Sequence, residues 1–147
     1  MNRGALDGLV VLDLTTHLSG PFCGMQLADM GADVIKIESP QGDSMRGAPP
    51  FVEGESAPFM LWNRNKRGIC VDFGLPEGKA LLARMLGSVD VVLDNFKTGT
   101  LARWGFDEAW FKQYAPQLVR CSITGYGEDG PDAHLPGYDF ILQAESG

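Results

Sequence analysis

Five short stretches carry residue types that could seat a charged, flat ligand: Leu18-Ser19, Glu38-Ser39, Asp72-Phe73-Gly74, Asn95-Phe96-Lys97 and Gly125-Tyr126-Gly127. Between them they offer backbone donors at small turn residues, a primary amide and an aromatic face. Lys97 and the nearby Arg103 add two cations. Glycine lets a backbone approach a ligand closely, because no Cβ stands in the way. A crevice with these groups suits a nucleotide-like anion bearing a flat base. Each stretch alone also reads as a turn or a cap, so what matters is whether the fold brings them to one edge.

Other chemistries lack their signatures. The first-turn glycines read Gly20-x-x-x-Gly24 with Pro21 between them, not the G-x-G-x-x-G of a dinucleotide fold. Only Glu38, ending the second strand, matches that pattern's ribose-binding carboxylate. No G-x-x-x-x-G-K-[ST] phosphate loop and no G-x-S-x-G elbow occurs. Asp13 and Asp29 read as capping or solvated carboxylates, and Asp72 and Asp94 as strand-end turn residues. His17 and His134 are too few for a histidine metal site and read as a turn residue and an exposed loop residue. Cys23, Cys70 and Cys121 are widely spaced in apolar surroundings. They read as buried free thiols of a reducing cytosol, so a cytoplasmic location is expected and no metal is.

To converge, these stretches must sit at the carboxyl ends of parallel strands, where helix amino ends attract anions. The chain has the pattern for that. Val10-Val11-Leu12-Asp13-Leu14 is a buried-strand run, and Pro21 is expected at the first position of the helix that follows. Phe22, Met25 and Ala28 recur at helical spacing as its buried face. Gly31 supplies its stop, and residues 34–38 form the second strand. Residues 39–58 read as a long functional loop, and residues 59–62 as a helical turn on the sheet edge. Further strands are expected over residues 69–73, 89–93 and 118–123. Pro76 opens a helix with a Leu81, Leu82, Met85 and Leu86 stripe. Residues 100–104 make one turn, and Asp107 caps a helix carrying Trp110, Phe111 and Tyr114. Strands alternating with helices make an α/β fold with a mostly parallel sheet. Residues 138–144 are apolar and patterned and run almost to the last residue, Gly147. This reads as a fragment of a larger domain.

The 147 residues can bury a real core, and 44% hydrophobic with 21% charged is the balance of a globular domain. A net charge of -7 opposes a general nucleic-acid surface. Arg64, Lys66 and Arg67 form a basic stretch that could serve as a local anion site. No apolar run is long enough for a membrane span, and the amino terminus lacks a signal-peptide pattern.

Longer strings then resemble a known family. These are residues 6–13 (LDGLVVLD) with Gly20-Pro21, residues 27–38 (LADMGADVIKIE) with Gly42-Asp43, residues 63–67 (NRNKR), residues 90–96 (DVVLDNF) and residues 122–127 (SITGYG). Together they are similar to the amino-terminal part of family III CoA-transferases. The resemblance implies a Rossmann-like, CoA-binding segment of the large domain, covering residues 1–147, from a two-domain chain that forms interlocked homodimers. It implies acyl-CoA and carboxylic acid substrates, no further cofactor, and no nucleic-acid or membrane partner. In the transferases an aspartate attacks the thioester and passes through a mixed anhydride and an enzyme thioester, as covalent catalysis requires. By resemblance that aspartate is expected beyond Gly147. The CoA path would be lined by Leu18, Ser19, Ser39, Val71, Asp72, Phe73, Gly74, Asn95, Phe96, Lys97, Arg103, Pro136, Gly137, Tyr138 and Asp139. Arg103 would pair a phosphate. Ser39 replaces an arginine of the formyl-CoA branch, which leaves Arg46 or Arg64 as the substitute cation, and Leu18 replaces a glutamine near the acyl group. The racemase branch places a histidine where this chain has Tyr138. A phenol of ordinary pKa near 10 is a poor base for an α-proton, which favours transferase over racemase. A stand-alone CoA-binding module is the non-enzymatic alternative.

Overall fold

The computed structural model describes residues 4–147. Seven strands and six helices run β1 (Val10–Asp13), α1 (Ser19–Asp29), β2 (Asp33–Glu38), β3 (Phe51–Val52), β4 (Glu55–Ser56), α2 (Ala57–Asn63), β5 (Lys66–Cys70), α3 (Pro76–Leu86), β6 (Val91–Asp94), α4 (Thr100–Arg103), α5 (Glu108–Tyr114), β7 (Val119–Ser122) and α6 (Asp139–Ser146). Five strands form one parallel sheet in the order β5-β2-β1-β6-β7, while β3 and β4 make a small antiparallel hairpin. The order reverses direction beside β1, and in a parallel sheet the carboxyl ends of the strands near such a point are where a ligand crevice is expected.

Alternation along the central strands builds two cores. Leu12, Leu14, Ile37 and Val92 face one side, where they pack with Leu82 and Leu86 of α3 and with Phe111 of α5. Val11, Val34 and Leu93 face the other, beneath Ala28 of α1. Successive strand residues point to opposite faces, and a strand covered on both faces reads as a continuous apolar run. Helix signals are obeyed as well. Asp107 Oδ1 accepts from Trp110 N at 2.8 Å, and Ser56 Oγ accepts from Phe59 N at 3.3 Å.

Several expectations are corrected. α1 begins at Ser19, so Pro21 is its third residue; the first turn has no intrahelical acceptors for its N–H groups, so proline is tolerated there too. Phe22 points outward, and the buried face is Gly20, Pro21, Gly24, Met25 and Ala28. The third strand of the sheet is residues 66–70 instead of 69–73. β5 is an edge strand bonded only to β2, and its residues are mostly exposed, so it has no need of an apolar run. Cys70 on that edge is exposed, and Cys23 and Cys121 are half-buried. Residues 39–58 are ordered by a 3₁₀ turn over Ser44–Gly47 and by the hairpin. Helix α2 is seven residues long and packs on α1.

Candidate functional site: a crevice at the carboxyl edge of the sheet

The loops after β1, β2, β5 and β6 enclose a crevice of about 380 Å³, within the range of small-molecule sites. Its apolar wall is Leu14, Ile37, Phe73, Phe96 and Trp104. The Trp104 ring lies 5.2 Å from the rings of both Phe73 and Phe96, so the three aromatics form one continuous surface. Thr16, Glu38, Ser39, Asp43, Asp72 and Lys79 supply the polar part. A broader recess of about 810 Å³ adjoins it toward β7, lined by Asp94, Lys97, Thr98, Arg120 and Ser122 among others, and Phe96 borders both.

A buried layer of charge holds these loops. Asp13, Lys36 and Lys66 stand on neighbouring strands, with Asp13 directly opposite Lys36 in the register. Lys66 Nζ lies 2.7 Å from Asp13 Oδ2 and also donates to Pro21 O at 2.8 Å and Asn63 Oδ1 at 3.0 Å. Lys36 Nζ donates to Thr15 O at 2.8 Å and pairs with Asp43 Oδ2 at 3.0 Å. Two ammonium groups and two carboxylates thus balance inside the protein, each with further hydrogen bonds, as buried charges require. Desolvation pulls the Lys66 pKa down, with Asp13 opposing the shift. Gly20 and Gly24 let α1 settle onto this layer. A Cβ at Gly20 would overlap the Thr15 side chain, and one at Gly24 would meet Asp13 Oδ2 at 2.7 Å and Lys66 Nζ at 3.1 Å. The Gly20-x-x-x-Gly24 spacing therefore serves helix-on-strand packing.

The expected basic patch is neutralised. Arg64 pairs with Asp29, Lys66 with Asp13 and Arg67 with Asp33. Arg46 is engaged too: Nε and Nη2 bond the two Glu38 carboxylate oxygens at 2.7 Å each, and the guanidinium lies 3.9 Å from the centre of the Phe59 ring. This bidentate contact is the main reason the Glu38 carboxyl sits below its ordinary pKa.

Of the residues expected at the ligand, Ser39, Asp72, Phe73, Gly74 and Phe96 line the crevice. Val71 lies buried in the core below it, and Lys97 lines the adjoining recess. The Asn95 amide is spent on the Thr16 backbone: Oδ1 accepts from Thr16 N at 3.0 Å and Nδ2 donates to Thr16 O at 2.8 Å. Leu18 and Ser19, at the start of α1, are exposed at the same sheet edge and outside the crevice. Arg103 folds back along α4, donating to Thr100 Oγ1 at 2.7 Å and Thr98 O at 3.4 Å, and lines neither cavity. Gly137 packs backbone-to-backbone against Gly125, which brings Pro136, Gly137, Tyr138 and Asp139 to the loop after β7. There Tyr138 is 59% exposed, and Asp139 Oδ2 accepts from Gln143 Nε2 at 2.6 Å. His17 takes a left-handed turn with φ of 66°, and His134 is exposed in a loop.

Sequence reasoning does not single out Thr16, Gly42, Asp43, Lys79 and Trp104 as ligand-facing. Trp104 and Lys79 read as ordinary helix residues, and only the fold brings them to the crevice, Trp104 against Phe73 and Phe96 and Lys79 into the wall. Asp43 stands in a Gly-Asp pair, but its role depends on Lys36. Burial pushes the Cys23 thiol up, with Cys121 and Asp13 adding to the effect, which makes it a poor nucleophile.

Comparison with known proteins agrees with this architecture. Residues 6–147 match the family model described as CoA-transferase family III. A succinate–glutarate CoA-transferase of Agrobacterium fabrum is 47% identical over 97% of this chain and 38% of its own length. A succinyl-CoA:glutarate CoA-transferase of Mus musculus is 44% identical over 97% of this chain and 33% of its own. The crystal structure of a CAIB/BAIF family protein from Brucella suis superimposes with a TM-score of 0.91 at 46% identity, covering 98% of this chain and 39% of that one. The chain thus spans well under half the length of these relatives. A family model matched over nearly every residue, on a backbone that superimposes on a solved member, leaves one assignment: this chain belongs to CoA-transferase family III.

Proposed function

We propose that this chain forms the CoA-binding part of the large domain of an acyl-CoA:carboxylate CoA-transferase, with the crevice at the reversal of strand order seating part of the CoA. The observation that carries this reading is the coincidence of the family match over residues 6–147 with that crevice. Its aromatic wall suits the flat or apolar parts of the ligand, and its polar rim the anionic parts. The remaining expected residues surround it: Leu18 and Ser19 at the start of α1, Lys97 in the adjoining recess, Arg103 on α4, and residues 136–139 beside Gly125.

In the reaction we propose, an aspartate from polypeptide following Gly147 attacks the thioester carbonyl carbon. The C–S bond breaks, CoA leaves as the thiolate, and an aspartyl mixed anhydride forms. The thiolate then attacks the aspartyl carbonyl, which releases the first acid and leaves an enzyme thioester; an incoming carboxylate repeats the sequence in reverse. Of the three carboxylates that line the crevice, Asp43 is bound to Lys36 and Glu38 to Arg46, while Asp72 is exposed and accepts from the Gly74 N–H. The outside nucleophile rests on the family resemblance. For assembly we propose the interlocked homodimer of the resemblance, and for location the cytoplasm. No helix among the described residues is long and apolar enough to cross a membrane.

The test is a transfer assay on the complete protein. Succinyl-CoA with glutarate comes first, because similar proteins carry those names, followed by oxalate and mesaconate as acceptors. Formation of a new acyl-CoA supports the reading. Exchange of a substrate α-proton in deuterated water without transfer replaces it with a racemase, and CoA binding without either activity leaves only a binding module.

A further inference from the structure

The crevice is unevenly charged. Three carboxylates line it, Glu38, Asp43 and Asp72, against one cation, Lys79. Each carboxylate is already committed: Glu38 to Arg46, Asp43 to Lys36, and Asp72 Oδ1 to the Gly74 N–H at 2.8 Å. Arg46 and Lys36 are neutralised where they stand. Lys79 makes no ion pair with any described residue.

The chain builds Lys79 into this place. Pro76 begins α3 directly after the loop that ends β5. Gly78 lies so close to the Asp72 carbonyl that a Cβ there would overlap it, which fixes the first turn of α3 against residues 71–74. Lys79 follows, its N–H donating to Leu75 O at 3.2 Å, a half-buried residue that lines the crevice together with Thr16 and Ser39. A lysine in the crevice wall without a counter-ion among the described residues is a ready partner for an incoming anion, and lysine serves phosphates as a compact point charge.

We propose that Lys79 anchors the phosphates of the bound nucleotide: its ammonium holds a phosphate oxygen at the crevice rim while Phe73, Phe96 and Trp104 cover the neighbouring flat or apolar part of the molecule. The inference rests on the crevice being the CoA seat, and it adds the group that balances the ligand's charge there.

Titration calorimetry on the complete protein tests it, using CoA, dephospho-CoA and pantetheine against wild type, Lys79→Gln and Lys79→Arg. Losing a hydrogen bond to a charged group corresponds to about a 10- to 100-fold weaker CoA affinity for Lys79→Gln. Lys79→Arg stays within about threefold of wild type, pantetheine binds all three alike, and added salt narrows the gap between wild type and Lys79→Gln. Dephospho-CoA sorts the contact: an equal loss there puts Lys79 on the diphosphate, and no loss puts it on the 3′-phosphate. Wild-type CoA affinity in Lys79→Gln, with Phe73→Ala still weakening it, overturns the anchor and keeps the CoA seat. An equal loss for pantetheine, which has no phosphate, also overturns it. No CoA binding by wild type at all sinks the seat itself.

Discussion

The side-chain amide of Asn95 pairs in both directions with the backbone of Thr16, accepting from its N–H at 3.0 Å and donating to its carbonyl at 2.8 Å. The residues lie 79 positions apart in the chain, and the pair ties the loop after β6 to the loop after β1 across the mouth of the crevice. An asparagine presents an acceptor and a donor side by side, which is what the N–H and C=O of one residue need. Asn95→Ala leaves both Thr16 groups without a protein partner in a half-buried place, an expected loss of about 1–3 kcal/mol. Asn95→Asp keeps the acceptor and turns the donor into a charge facing a carbonyl. Urea denaturation should place wild type first, with the Asp variant at or above the Ala variant. CoA affinity should fall with stability, since Thr16 and Phe96 both line the crevice. Unchanged stability in Asn95→Ala would show that water replaces the clamp at no cost.

The Lys36–Asp43 pair joins the same first loop to the loop after β2. Both side chains are almost fully buried, Lys36 also donates to Thr15 O, and Asp43 Oδ1 accepts from Met45 N at 3.0 Å and His17 N at 3.3 Å. Breaking a buried pair by removing one partner costs about 3–5 kcal/mol, because the remaining charge has no counter-ion, whereas replacing both can be nearly neutral. Lys36→Met should therefore destabilise the protein far more than Lys36→Met with Asp43→Asn. The asparagine keeps the Oδ1 acceptor for the 3₁₀ turn. A double-mutant cycle by thermal or chemical melting reads the coupling directly. Additive single effects would show that the two side chains do not act as a pair.

Two glycines of ordinary backbone conformation should respond oppositely to alanine. In the interior of α1, Gly24→Ala would gain about 1 kcal/mol of helix propensity in an open setting. Here the new methyl meets the buried carboxylate of Asp13 and the ammonium of Lys66, and overpacking costs typically about 1–3 kcal/mol. The expected net result is destabilisation. Gly68, on the edge strand β5, has open space for 4 Å around the place a Cβ would take. Gly68→Ala should be neutral or stabilise by about 0.4–1 kcal/mol through the unfolded chain. Melting midpoints of the two variants decide the matter, and a stabilising Gly24→Ala would mean that α1 shifts freely on the charged layer.

These side-chain partnerships explain which parts of the molecule were legible in the sequence. The strands over Val11, Val34 and Val92 and the helices begun by Pro76 and Asp107 are written in local signals: apolar runs, a proline, a capping carboxylate. The edge strand β5 is not, because its mostly exposed faces need no apolar residues, and the opening Lys66-Arg67 looks like a surface patch. Lys66 finds its counter-charge in Asp13, 53 positions away, and no local pattern records that. The candidate site was legible as a set of loop ends, since the sheet topology carries Ser39, Phe73 and Phe96 to one edge. Side-chain direction was not. Asn95 turns to Thr16, 79 positions away, Arg103 turns along its own helix, and Lys79 comes to the crevice wall only when α3 is placed on the sheet.

Asp94 sets the pH response of the recess that adjoins the crevice. Its carboxylate is buried at the end of β6, where Oδ2 accepts from Ser122 Oγ at 2.8 Å and Oδ1 from Phe96 N at 3.2 Å. Burial raises its pKa above the ordinary carboxylate value; Glu128 adds to the rise, and the two hydrogen bonds and Arg120 oppose it. A raised pKa means the folded state binds the proton more tightly than the unfolded state. Asp94 therefore favours folding most at acidic pH, and that contribution is lost as pH rises through its folded-state pKa. The Asp94→Asn substitution keeps both contacts with neutral groups: the amide oxygen accepts from Phe96 N–H, and the amide nitrogen donates to Ser122 Oγ. The variant should be more stable than wild type at pH 7, and its advantage should shrink as pH is lowered toward about 4. Urea melts across that range test the sign. A variant less stable than wild type at pH 7, with a deficit that narrows on acidification, would mean the ionised carboxylate is favoured by its donors more strongly than burial opposes it.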